Sequence, residues 1–160
     1  MPISYTSAVL AALVGRIRRC KGEGLEDHVL MMEATLAAVN RNGYALQTLE
    51  GYLRNDIDVV LAALRQNGMA LRFASEEIRG NKDVVMAAVK QNGNALYYAS
   101  KELKGDRDVV MAAVKQRGDS MRFASKELKG DKGVVLAAVK QNGMALYYAS
   151  KELRKDKGVV

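Results

Sequence analysis

Apolar residues recur along most of the chain three or four positions apart, in short bursts separated by glycine, asparagine and charged residues. In residues 106–130 the burst Val109, Val110, Ala113 and Val114 predicts the buried face of a helix running from Arg107 through Arg117. Asp106 is its N-cap candidate, and Gly118 suits a left-handed position just past the helix end. A second phrase, Asp119 to Lys129, carries Ser120/Met121, Phe123/Ala124 and Leu128 on one side and predicts a second helix. Gly130 ends it and Asp131 caps the next. One unit earlier, Leu96, Ala99 and Leu103 make the same buried face. Ser75, Ser100, Ser125 and Ser150 fall in the middle of this phrase, where a hydroxyl can cap a new turn and break the second helix into a bent or 3₁₀ piece.

Glycines at Gly43, Gly68, Gly93, Gly118 and Gly143 close five related phrases: LAAVNRNG, LAALRQNG, MAAVKQNG, MAAVKQRG and LAAVKQNG. A fixed period of 25 residues between them means stacked units, none able to bury its apolar face alone. Helices this short are marginal in isolation, so neighbouring units must supply the packing. The expected fold is an all-α solenoid of two-helix repeats over about 33–55, 56–80, 81–105, 106–130 and 131–155, with the start of a sixth. The small pair Ala112–Ala113 recurs in every unit and lets helices approach closely, while Met86 and Met111 read as gap-filling core. A longer period runs inside the short one. Arg72-Phe73, Tyr97-Tyr98, Arg122-Phe123 and Tyr147-Tyr148 alternate, making the full unit a pair. Residues 81–105 and 131–155 match at 19 of 25 positions, the mark of recent duplication.

The ends differ from the middle. Residues 5–20 read as an amphipathic helix stopped by Lys21-Gly22-Glu23-Gly24, so residues 1–32 are expected to cap the first repeat. A basic amphipathic helix can also serve a membrane or a partner. The last residues, Gly158-Val159-Val160, lie in the first turn of a sixth unit. A solenoid needs a polar cap. The expectation is therefore a fragment of a longer array, with self-association through the open end as the other reading.

Charge narrows the list of partners. The net charge of +7 is unevenly placed: residues 1–60 carry six Lys/Arg against seven Asp/Glu, and residues 61–160 carry nineteen against eleven. Such asymmetry points to an acidic partner, a nucleic acid or a membrane surface. A single Cys20 and a single His28 permit no internal disulfide and no zinc site. No phosphate-cradling GxxxxGK run occurs, and Glu102, Glu127 and Glu152 repeat beside Lys101, Lys126 and Lys151 as a solvated face does. No catalytic, cofactor or metal-binding residue is singled out, so a non-enzymatic protein is expected. The apolar run Ser7–Val14 has its arginines (Arg16, Arg18, Arg19) after it, the reverse of a secretory signal, and it is too short to span a membrane. With one thiol, a cytoplasmic or otherwise reducing compartment is expected.

Three sets of residues could meet a partner. Arg65, Lys90, Lys115 and Lys140 fall near the ends of first helices, and Arg79, Lys104, Lys129 and Arg154 near the ends of second ones. Cations there complement the helix dipole, and as rows along a solenoid they could also follow phosphates or an acidic groove. Arg72, Tyr97, Arg122 and Tyr147 form a row of residue types common at binding hot spots, or a cation–π ladder between units. Beside it the position after each glycine varies most, with Met69, Asn94, Asp119 and Met144. The leading expectation is a scaffold that binds a protein along an extended face. Nucleic-acid binding through the basic rows and a self-assembling array are the alternatives.

The phrases VVMAAVKQNGNALYYASKELKGD and VVLAAVKQNGMALYYASKELRKD resemble a family catalogued only as a domain of unknown function. Its profile spans about two of these units and occurs in tandem in bacterial and eukaryotic microbial proteins, some associated with host cells. The resemblance covers roughly residues 33–160. It implies delivery into a host cell as one expectation, and it brings no catalytic residue, cofactor or agreed partner. Unit one departs from the pattern, with Thr48-Leu49-Glu50-Gly51 where later units carry Phe/Tyr-Ala-Ser, and resembles a degenerate end repeat.

Overall fold

Each repeat begins at a side chain that satisfies the free N–H groups of a helix start. The carboxylate of Asp106 accepts from the Asp108 and Val109 N–H groups at 3.0 and 3.1 Å. Asp56, Asn81 and Asp131 hold the equivalent places. The computed structural model describes residues 25–159. The helices are α1 (Leu25–Arg41), α2 (Ile57–Gln66), α3 (Lys82–Gln91), α4 (Arg107–Gln116) and α5 (Lys132–Gln141). The expected cap helix over residues 5–20 lies outside the described residues. No described helix is long and apolar enough to cross a membrane. Val109, Val110, Ala113 and Val114 are fully buried, as their spacing predicts.

The second phrase takes the broken form. After each helix comes a six-residue 3₁₀ segment: Gly43–Thr48, Gly68–Phe73, Gly93–Tyr98, Gly118–Phe123 and Gly143–Tyr148. The chain then extends for two residues and makes one more turn, such as Glu76–Arg79 or Leu103–Gly105. The serines start that turn. Ser75 Oγ accepts from the Ile78 N–H at 3.2 Å, and Ser100 and Ser125 accept likewise from Leu103 and Leu128. Six residues is long for a 3₁₀ helix. Its residues three apart eclipse, so Gly68, Leu71 and Ala74 face the core while Met69 and Arg72 share a ridge toward solvent.

The glycines do a different job from the one their position suggested. None has a left-handed φ. The helix instead ends at an extended residue: Asn42, Asn67, Asn92 (φ −148°) and Asn142 cap the 3₁₀ segment with their side chains, while Arg117 holds the place without such a cap. Glycine is required by space, because a Cβ on Gly68, Gly93 or Gly118 would lie 2.5 Å from the carbonyl oxygen of Ala88, Ala113 or Ala138 in the next repeat. The glutamines ending α3, α4 and α5 reach back across this seam. Gly68, Gly93 and Gly118 donate their N–H groups to Gln91, Gln116 and Gln141 Oε1 at 2.6–2.7 Å.

Two further ladders run parallel to the first. The N–H groups of Ser75, Ser100, Ser125 and Ser150 donate to the carbonyls of Arg54, Arg79, Lys104 and Lys129 one repeat back, at 2.8–3.1 Å. At the helix starts Lys82 pairs with Asp106 (2.7 Å), Arg107 with Asp131 (3.1 Å) and Lys132 with Asp156 (2.8 Å). Helix packs on helix and 3₁₀ segment on 3₁₀ segment around one continuous core. Met86 and Met111, expected inside, are half-buried at its edge, where they line the groove between α3 and α4.

Gly93→Ala should cost about 1–3 kcal/mol in urea unfolding, since an overpacked seam must shift. Gly130→Ala, with open space around its Cβ position, should change stability by less than about 1 kcal/mol. Hydrogen bonds from Lys82, Arg107 and Lys132 hold the carboxyls of Asp106, Asp131 and Asp156 below the ordinary range. Folded values below the unfolded one near 3.9 add stability that is complete above about 4 and is lost as pH falls from there through the lower folded values. Urea midpoints measured from pH 7 to pH 3 should drop in that window, and Lys82→Met with Arg107→Met should flatten the drop.

Candidate functional site

The solvent-facing ridge of the 3₁₀ segments gathers two of the residue sets that the sequence kept apart. Three-residue eclipsing puts Met69 with Arg72, Asn94 with Tyr97, Asp119 with Arg122 and Met144 with Tyr147. Tyr97 is 55% exposed, and Tyr147 and Met144 are each 74% exposed. Tyr44, at the equivalent position in unit one, joins them. Such large apolar surfaces are held in place by what lies beneath them. Leu71, Leu96 and Met121 on the opposite side of each segment are fully buried.

The contacts along this ridge differ from an Arg–Tyr ladder. Arg72 and Arg122 lie over the rings of their own neighbours Phe73 and Phe123, at 4.4 Å from the centroids. The contact between units is aromatic: Tyr97 meets Phe123 edge-on at 5.1 Å, and Tyr44 meets Phe73 at 5.9 Å. Arg72 also reaches the Tyr44 ring of the preceding unit at 5.9 Å. The arginine is drawn to its own phenylalanine because that ring is adjacent in the chain, and the next unit's ring then fills the gap between units. The sequence reading missed Phe73, Tyr98, Phe123 and Tyr148 as part of the site, although their alternation with the named row was visible.

The two basic sets have different surroundings. Arg65, Lys90, Lys115 and Lys140 are exposed at the ends of α2 to α5. Lys90 and Lys115 flank a groove of about 580 Å³ whose walls also include Met86, Met111, Ala112 and Asp108. Arg79, Lys104 and Lys129 are half-buried beside the aromatic ridge, and Arg154 is exposed at the end of the row. Lys104 Nζ lies 5.5 Å from the Tyr97 ring centroid, and Lys129 Nζ donates to the Arg122 carbonyl at 2.7 Å. Burial, with the charge of Arg79 added, pushes Lys104 below its ordinary pKa, and burial does the same to Lys129. Arg54 continues this row into unit one, a member that only the 25-residue register could have signalled.

The variable positions are partly committed to the fold. Asn94 Oδ1 accepts from Ser120 Oγ at 3.3 Å, and Asp119 Oδ1 accepts from Asn142 Nδ2 at 2.8 Å. These bonds tie Asn94 and Asp119 to the following unit, whereas Met144 projects freely. Among the described residues no group of three or more His, Cys, Asp or Glu side chains is placed to hold a metal ion.

No curated protein and no solved structure matches the chain. A family described as a domain of unknown function, DUF4116, matches three times in succession, over residues 32–79, 81–129 and 131–160. Each full match spans two of the 25-residue units. The ring contacts follow the same division, with Tyr44–Phe73 inside the first match and Tyr97–Phe123 inside the second. Among the described residues no ring contact bridges the boundaries at residues 80 and 130. In sequence wording, in its paired unit and in its tandem arrangement, the chain belongs to the DUF4116 family.

Proposed function

We propose that this protein is a non-catalytic scaffold that binds a protein partner along the aromatic ridge of its 3₁₀ segments. The observation that carries the reading is the exposure of Tyr97, inside the stack, on the same ridge as Tyr44, Met144 and Tyr147; Leu30, Tyr52, Ile57 and Leu136 are exposed away from it. Exposed large apolar side chains gathered on one face and rimmed by cations are the usual mark of a docking surface. Tyrosine loses little entropy on binding for the area it buries, and both tyrosine and arginine recur at hot spots. The pairing of rings within each fifty-residue unit gives the ridge a stiff footing, so little ordering cost remains for the bound state.

The exposed row of Arg65, Lys90, Lys115 and Lys140 supports a second reading, binding to a nucleic acid backbone. Asp108 in the groove between Lys90 and Lys115 weakens the positive field of that row. The cations at the helix starts are neutralised by their aspartates. The protein reading is therefore the stronger of the two.

A photoreactive benzoylphenylalanine introduced in place of Tyr97 or Tyr147 should crosslink a discrete protein in cells, and the same group in place of Lys90 or Lys140 should not. Uniform crosslinking from all four positions would count against the ridge. Labelled DNA and RNA, titrated from about 50 to 200 mM salt, should show no binding tighter than micromolar; steep salt-sensitive binding would favour the second reading. Tyr97→Ala should leave urea stability within about 1 kcal/mol of the parent, whereas Leu96→Ala beneath it should cost about 2–5 kcal/mol.

A further inference from the structure

Among the described residues, the half-buried row of cations beside the ridge has no partner that accounts for its burial. Every cation at the helix starts from Lys82 onward (Lys82, Arg107, Lys132) faces an aspartate at 2.7–3.1 Å. In the inner row, the ion pair found among the described residues is Arg79 with Glu76 at 3.8 Å, and that glutamate is 96% exposed. The Nε atoms of Arg54 and Arg79 are buried with no hydrogen-bond acceptor. Lys104 faces the Tyr97 ring, and Lys129 spends one donor on a backbone carbonyl. Holding cations away from water without anions is costly, and an arriving anion recovers that cost. The lowered pKa values of Lys104 and Lys129 report the same desolvation.

The backbone beneath the row is tied from repeat to repeat. The carbonyls of Arg79, Lys104 and Lys129 each accept from a serine N–H of the next repeat, which fixes the backbone of one row member against its successor's unit. A cavity of about 260 Å³ opens beside Arg79 alone, lined by Glu76, Arg79, Tyr98, Ala99 and Ser100. Glu76 stands at its rim, and in the following units the equivalent residues are Lys101 and Lys126, so an anion is best received toward Lys104 and Lys129.

We propose that Arg79, Lys104 and Lys129 form the seat for an extended acidic segment of a partner protein, one carboxylate to each repeat, laid beside the Tyr97 and Phe123 rings. This rests on the protein-binding reading above and names the chemistry of the partner. Packed helices lie about 8–10 Å apart, which sets the rise from one row member to the next. A polyproline II strand advances about 9 Å in three residues and returns to the same face. The matching ligand therefore carries an acidic residue at every third position.

The probe is a fluorescein-labelled peptide of six Glu-Pro-Pro triplets, compared by anisotropy with a peptide of the same composition whose glutamates are contiguous. The triplet peptide should bind about fivefold more tightly or better. Lys104→Gln with Lys129→Gln should weaken it about tenfold, and Lys104→Arg with Lys129→Arg should restore most of the loss. Lys90→Gln with Lys115→Gln, in the outer row, should change it by less than about twofold, and urea unfolding of each variant checks that it folds. On binding, the Lys104 ammonium should titrate closer to its ordinary range. Absence of binding at low salt, equal loss from both glutamine pairs, or equal affinity for the two peptides would overturn the proposal. So would an oligonucleotide that outcompetes the peptide at the same lysines. Crosslinking from Tyr97 and Tyr147 that persists while the triplet peptide fails to bind would overturn this proposal alone, whereas loss of both would remove the protein-binding reading with it.

Discussion

The architecture depends on how closely one backbone can lie against the next at the glycine seam. Gly68, Gly93 and Gly118 sit so near the last turn of the following helix that no side chain fits between them and an alanine carbonyl. That proximity lets a glutamine from the next repeat reach the glycine N–H. It also draws the 3₁₀ segments into direct contact with one another. The ridge of aromatic residues exists because those segments are stacked at this spacing. Gly143, at the end of the described stack, has nothing within 4 Å of its Cβ position, and Leu146 beside it is half-buried where Leu71 and Leu96 are fully enclosed. The contrast shows what each seam contributes to its neighbours.

Much of this was legible from spacing. The period, the N-caps at Asp106 and Asp131 and the buried faces of Val109 to Val114 and of Leu96, Ala99 and Leu103 follow from local rules. The break in the second phrase was visible only as an alternative at the serines. What decides it is a bond from each serine N–H to a carbonyl one repeat earlier, a contact that no local pattern can display. The purpose of the glycines was hidden for the same reason, since crowding by a neighbouring unit leaves no local signature. The row Arg72, Tyr97, Arg122 and Tyr147 lies at the surface, but its contacts were not foreseen. A guanidinium can stack on any nearby ring, and the nearest ring is set by the chain rather than by the repeat.

Two rows of cations with nearly identical sequence statistics thus acquire different electrostatics. Those at the ends of the long helices remain in water, where a charge interacts weakly with anything beyond a Debye length. Those after the 3₁₀ segments lie against rings and backbone, where the effective dielectric is lower and each charge counts for more. Composition alone assigns both rows the same weight. The fold distinguishes them through burial, and the inner row is the one that lies against rings and backbone.

The three ladders connect each unit only to its immediate neighbours, and this has a mechanical consequence. A chain pulled from its two ends should yield by peeling, with each unit surrendering its seam before the next is loaded. Twenty-five residues drawn out at roughly 3.4 Å each, less the thickness of one folded layer, lengthen the chain by about 75 Å. Where a ring of one unit rests on a ring of the next, as Tyr97 does on Phe123, the two layers resist together and should release as a couple. The molecule would then behave as an extensible tether with a built-in step size, set by the fifty-residue pair wherever such rings meet.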